Sequence, residues 1–226
     1  MTKTKYFPNV TSILWNTRST EQEQVFKDWI EKVGETEAQE IKKKSMVVGK
    51  LVDEAISDIL TKDSFDLGTI IKYQPLEIKA IVSDCLLAVK PFLKQLSNPS
   101  VQVDCTHPYL KYKGTIDCMA TIYDPTLKKE VQVLIDWKVT YRGLHKKEWL
   151  LNGDYPLQIA AYLDAYNSTA SGKEFNNKKA DCFVRGLLVN ISTDSFQVIE
   201  IDTDHYMNSF LNRWRLYHKK KANGEI

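Results

Sequence analysis

The chain has 226 residues, 43% of them hydrophobic and 27% charged, with a formal net charge of +2. That length and apolar content suit one large domain with a real core, and they exclude a disordered chain. Near-neutrality neither announces nor excludes a nucleic-acid partner, because a local basic surface suffices for one. The opening "MTKTKYFPNV" has no apolar run of signal-peptide length, and no segment approaches the ~20 apolar residues of a membrane span. The sequence therefore reads as a soluble intracellular, cytoplasmic protein with no membrane partner. The four cysteines, Cys85, Cys105, Cys118 and Cys182, are widely separated. They read as buried free thiols in a reducing compartment, not as a zinc or iron–sulfur set.

The first hundred residues are mainly helical. Ser19 followed by Thr20, Glu21, Gln22 and Glu23 is a helix start, a hydroxyl cap with acids in the first turn. Val25, Phe26, Trp29, Ile30 and Val33 follow at helical spacing, and Gly34 ends the segment. A second helix is expected over about 36–60, with Val48, Leu51, Val52, Ala55, Ile56 and Ile59 on its apolar stripe. Gly49 inside it suggests close packing against another backbone. A third helix is expected over about 75–96.

The pattern changes after Asn98-Pro99-Ser100. Residues 101–105, 109–113, 115–123 and 131–137 read as strands, with a turn at Asp124-Pro125. A polar connection over about 140–152 leads to a helix over about 155–166, a loop "SGKEFNNKK", strands over 180–191 and 196–201, and a closing helix over about 204–220. Helices, strands, helix, strands, helix is the order of a mixed α/β (α+β) domain. A central mixed sheet flanked by helices is expected over 99–226, with a helical lobe over 1–98.

The chemistry concentrates in "GTIDCMATIYDPTLKKEVQVLIDWK", residues 114–138. Asp117 interrupts one apolar strand and Asp136 ends another. Strand residues alternate faces, so Asp136 and Lys138 project from one side and Trp137 from the other. A lone strand-end aspartate is commonly a cap or a solvated turn residue. Two carboxylates and an ammonium at one spot, however, are the minimal equipment for holding a divalent cation and orienting a water against a phosphodiester.

"GTID", "VLIDWK" and "YPLQIAAYLDAY" in this order resemble the RecB-like branch of the PD-(D/E)XK nuclease superfamily. The resemblance is closest to the mitochondrial genome maintenance exonuclease group and its phage and bacterial relatives. "FPNVTSIL", "FKDWIEKVG" and "GKLVDEAI" are similar to that group's N-terminal motifs, so the resemblance covers most of the chain. It implies a restriction-endonuclease-like core. It also implies Asp117, Asp136 and the Trp137 carbonyl as metal ligands, Lys138 beside the attacking water, and Gln158 and Tyr162 on a helix face lining the site. Magnesium or manganese would be the cofactor, with no iron–sulfur cluster.

The chain departs from the group's pattern in three places. Asp53 stands where relatives carry a histidine ligand, and it either joins the metal shell or faces solvent beside Glu54. Val139-Thr140 follows the lysine in place of Thr-Ser, so Thr140 is a candidate phosphate contact. Gln102 and Asp104 lie where many relatives carry a glutamate, and neither is assigned a role.

A nuclease holds its strand by phosphates and by stacking. Arg18, Arg142, Lys146, Lys147 and Trp149 are the candidates, four of them just after the catalytic strand. Lys42–Lys44 and the C-terminal "RWRLYHKKK" read as solvated helix faces, Trp15 and Trp29 as internal packing, and His107 as a strand-end residue. The expectation is a metal-dependent DNA exonuclease acting on single strands or flaps with free ends. It would serve DNA replication, recombination or repair, beside other proteins of those processes, in a bacterial or phage setting. The alternatives are a structure-specific or restriction-type endonuclease and an inactive DNA-binding module of the same fold.

Overall fold

One mixed sheet organises the chain. The computed structural model describes residues 7–62, 65–169 and 184–226. Among these, β1 (Ser97–Thr106), β2 (Lys113–Asp124), β3 (Lys129–Val139), β4 (Arg185–Ile191) and β5 (Phe196–Ile201) lie side by side in sequence order. The first three form an antiparallel meander, β4 joins β3 in parallel, and β5 closes the sheet antiparallel. A parallel step needs a crossover. It is made through α6 (Lys147–Leu151) and α7 (Tyr155–Asn167).

Strand alternation divides the core into two layers. Val133, Ile135 and Trp137 of β3 pack with α3 (Glu35–Thr61) and α5 (Leu76–Leu93). Leu134 packs on the opposite face with α7, α1 (Val10–Asn16) and α8 (Thr203–Ala222). The helices of the first hundred residues are thus built into both layers of the domain. Among the described residues, α2 (Thr20–Val33) is the exception, with no buried residue.

The local signals act as chemistry requires. Ser19 Oγ accepts the Gln22 N–H while Gln22 Oε1 accepts the Ser19 N–H, a reciprocal capping box. Gly34, at φ 92°, separates α2 from α3 in a conformation that side-chain-bearing residues avoid. The α3 stripe from Val48 to Ile56 is buried as its spacing requires. Gly49 is different from expectation: nothing lies within 4 Å of where its side chain would be, so no backbone packs closely there.

Two further segments differ. Residues 109–112 form a turn and its exit, not a strand, and only Lys113 of the expected 109–113 strand belongs to one, as the first residue of β2. His107 is buried just before this turn, and its Nδ1 accepts the N–H groups of Tyr109 and Leu110. Its Nε2 meets Asp164 of α7 at 3.1 Å, and the Tyr112 hydroxyl donates to the same carboxylate at 2.9 Å. The alternation at 109–113 therefore reflects anchoring onto α7. The connection after β3 contains α6, pinned by fully buried Leu150, and a short helix α4 (Leu67–Ile71) precedes α5. The loop 171–179 and the start of the expected strand 180–191 lie outside the described residues, as does Cys182.

Close approach of α7 to β4 depends on Gly186. A methyl group there would sit 2.4 Å from Ile159 Cγ2 and 3.1 Å from Thr203 Cγ2. Gly186→Ala is expected to destabilise the fold by about 1–3 kcal/mol, the usual range for overpacking. Urea denaturation read by circular dichroism checks this.

Candidate active site

The pairing of β2 with β3 brings the two aspartates together. Cys118 lies opposite Ile135, so the next step of the ladder sets Asp117 opposite Asp136. Asp117 Oδ2 accepts the Trp137 N–H at 3.0 Å. Asp136 is 1% exposed; its Oδ1 accepts the Gln158 carboxamide N–H at 2.9 Å. Its Oδ2 lies 2.5 Å from Lys138 Nζ as a close ion pair. Trp137 turns the other way into the core under α5, where its ring meets Phe92 edge-on.

Helix α7 roofs this face. Gln158 and Tyr162 are one turn apart, and Gln158 Nε2 also approaches the Tyr162 hydroxyl at 3.1 Å. Tyr162 is buried against Gly114: a Cβ at that glycine would lie 2.2 Å from Tyr162 Cε1. The Gly-x-x-Asp spacing thus has a steric reason, since the glycine admits the tyrosine that stands over the aspartate three residues on. Tyr155, at the start of α7, lies under Lys138, with Nζ 4.8 Å from its ring centre.

Asp53 reaches the site from α3 in the opposite layer. Burial, then Asp136, raises its carboxyl above the usual range, while Lys138 opposes them. Its Oδ2 accepts the Gln102 amide N–H at 3.2 Å, and its Oδ1 is buried without a hydrogen-bond partner. It faces the cluster and not the solvent beside Glu54. Gln102 has a left-handed backbone, φ 51°, which is rare for this residue type and is the kind of strain that gathers at functional sites. Asp104 accepts from the Thr115 hydroxyl at 2.9 Å.

Burial and then Asp136 push the Asp117 carboxyl up to about 7, against the pull of Lys138 and the Trp137 N–H. Burial alone would lower Lys138, but Asp136 and Asp117 outweigh it and hold the ammonium above its ordinary value. The cluster is therefore three acids around one cation.

Among the described residues, no three Asp, Glu, His or Cys side chains form a ready-made metal cage. The donor set nevertheless fits a hard, water-retaining cation. Only oxygens converge, Asp53 Oδ1 has no hydrogen-bond partner, and the mutual repulsion of the acids is what a divalent ion relieves. Magnesium needs only one or two carboxylates, with waters completing its shell. Cys85, Cys105 and Cys118 are buried free thiols, each pushed up to about 12 by burial.

The remaining sequence candidates divide by exposure. Arg142, Lys146 and Lys147 are exposed, and Trp149 is 52% exposed, its ring tilted against His145 at 4.5 Å. Thr140 is buried; its N–H donates to the Ile191 carbonyl and its hydroxyl accepts from the Arg142 N–H. Arg18 pairs with Asp154 at 3.7 Å.

Sequence reasoning missed several supports. Asn190 is paired with Lys138 across β3 and β4, is fully buried, and holds the His145 carbonyl at 3.1 Å, fixing the segment that carries Trp149. Arg213 of α8 sits in "RWRLYHKKK", which had read as a solvated face. Its guanidinium donates to Thr17 Oγ1, the Leu14 carbonyl and Asp154 Oδ1. An apolar strand context around Asn190 was the one available signal, and Arg213 had none.

No model of a known protein family matches the chain, and no curated protein matches it. No helix among the described residues is long and apolar enough to cross a membrane.

The raised Asp117 carboxyl has a measurable sign. Its ordinary value is 3.8, so between roughly pH 4 and pH 7 the metal-free folded state binds more protons than the unfolded state, and stability falls as pH rises. Asp117→Asn keeps the acceptor for Trp137 and removes the repulsion. In EDTA, this variant is expected to be more stable than wild type at pH 8 by roughly 1–3 kcal/mol, with the difference shrinking toward pH 4. Thermal melts across that range check it.

Proposed function

We propose that the chain is a metal-dependent nuclease, acting as a DNA exonuclease on single strands or flaps with free ends. One observation carries the reading: Asp117, Asp136 and Lys138 meet where the β2–β3 pairing ends, with Gln158 hydrogen-bonded to Asp136. That set coincides with the motifs resembling RecB-like nucleases.

Asp117, Asp136, Asp53 and the Trp137 carbonyl would hold magnesium or manganese, which when bound polarises a phosphate and lowers the pKa of a water. The chain's own groups do the rest. Gln158 donates to Asp136 Oδ1 and leaves Oδ2 facing Lys138. Tyr162 on the same side keeps that carboxamide turned toward Asp136. Lys138 stays protonated, so its Nζ donates to the attacking water or to the oxygens gaining charge and does not abstract a proton. Water oxygen would bond to phosphorus as the ester P–O bond opposite it breaks; the water gives up one proton to solvent, and the leaving oxygen takes one up from solvent. Replication, recombination or repair of DNA, in a bacterial or phage setting and beside other proteins of those processes, is the context this chemistry suits.

End-labelled linear single strands, duplexes and closed circles provide the test, each with magnesium, manganese or EDTA. Wild type is expected to shorten linear single strands only with metal. Asp136→Ala and Lys138→Ala are expected to lose about 100-fold or more in rate, as when one charge-stabilising group is removed. Equal cleavage by all three proteins would sink the mechanism, and cutting of closed circles would make the enzyme an endonuclease. Asp53→Ala is expected to raise the metal concentration needed for half-maximal activity by roughly tenfold or more, reflecting a lost anionic ligand. A metal titration at fixed substrate checks this.

A further inference from the structure

We propose that Trp15 forms the floor of a base-stacking subsite that takes single-stranded DNA at the rim of the active site. The assignment rests on the nuclease reading for the class of ligand, and on the following geometry for the place. Trp15 had read as internal packing, but it is 55% exposed. The helix beneath it is rigidly seated: Val10, Ile13 and Leu14 are buried, and Arg213 holds the Leu14 carbonyl. The Arg18 guanidinium lies over one face of the ring, and the rest of the ring stays exposed on an anchored support, which is unusual for a residue whose burial is favourable.

Cations crowd this ring. The Arg18 guanidinium lies 4.0 Å from its centre, and Lys42 Nζ lies 5.9 Å away. Lys42 belongs to α3, in the layer opposite to that of α1, so the pair spans the gap between the layers. Two residues along α3, Lys44 stands 4.6 Å from the ring centre of Tyr141, just beyond β3, and is itself ion-paired with Glu77 of α5. The rim connects directly to the chemistry. Arg18 pairs with Asp154, and the next residue, Tyr155, touches Lys138.

Rings alternating with cations are what an unpaired strand requires, since bases stack on the rings and phosphates meet the cations. A duplex keeps its internal bases stacked on each other, and its terminal pairs present a face only across both strands together, not as a single unpaired base. The subsite would therefore admit strands whose terminal bases are unpaired, which ties the preference for single strands to an identifiable side chain.

The test is binding by the full chain in EDTA, followed by fluorescence anisotropy. The probes are a short fluorescein-labelled oligothymidylate and an abasic deoxyribose-phosphate oligomer of equal length. Wild type is expected to bind the thymidylate about tenfold or more tightly than the abasic strand, the scale of one base–aromatic stack. Trp15→Ala is expected to erase that preference while keeping the affinity for the abasic strand, and Trp15→Phe to retain most of it. Three results overturn the proposal: no preference for bases in wild type, an undiminished preference in Trp15→Ala, or an equal loss toward both probes. Failure of the nuclease reading shows separately, as no metal-dependent cleavage by wild type, and does not enter a binding measurement made in EDTA.

Discussion

The register between β2 and β3 is the constraint on which everything else depends. Cys118 and Ile135 face one layer; Met119 and Leu134 face the other. Both faces of the pair are buried, so a slip of one residue would move every side chain to the wrong layer. The turn between the strands reinforces the register. Asp124 Oδ1 accepts the N–H groups of Thr126 and Leu127, and its other oxygen pairs with Arg185 at the start of β4. Held this way, the strands must set Asp117 beside Asp136, although like charges half-hidden from water repel.

The fold supports that repulsion instead of removing it. One ammonium, Lys138, serves three acids, and the amide of Gln158 satisfies one oxygen of Asp136. A site optimised for stability would have a second cation or a neutral residue here. Concentrating negative charge against a packed core is sensible where a cation is meant to bind. The strained backbone of Gln102, which delivers an amide to Asp53, belongs to the same arrangement.

Much of this was legible in the sequence because it depends on local periodicity. A period of two puts Asp136 and Lys138 on one face with Trp137 on the other, and one helical turn aligns Gln158 with Tyr162. The Ser19 cap, the Gly34 break and the α3 stripe are likewise properties of neighbouring residues. What escaped depends on partners distant in the chain. Residues 109–112 alternate like a strand, yet His107, Tyr112 and Asp164 anchor them as a turn and its exit. Trp15 looks internal by composition, and only the placement of α1 exposes it. Arg213 and Asn190 have no local signature, because their roles are defined by the segments they hold together.

The grip of Arg213 has a consequence in time. Its guanidinium bridges the end of α1, through Leu14 and Thr17, to Asp154 at the start of α7, and the bond to Thr17 spans 196 residues of chain. Chains are made from the N-terminus, and contacts so distant in sequence close last. The rim beside Lys138 therefore cannot be completed while α8 is still within the ribosome. A half-made chain carries the acids but lacks this last clasp on the rim, so completion of the candidate site is deferred until α8 has emerged.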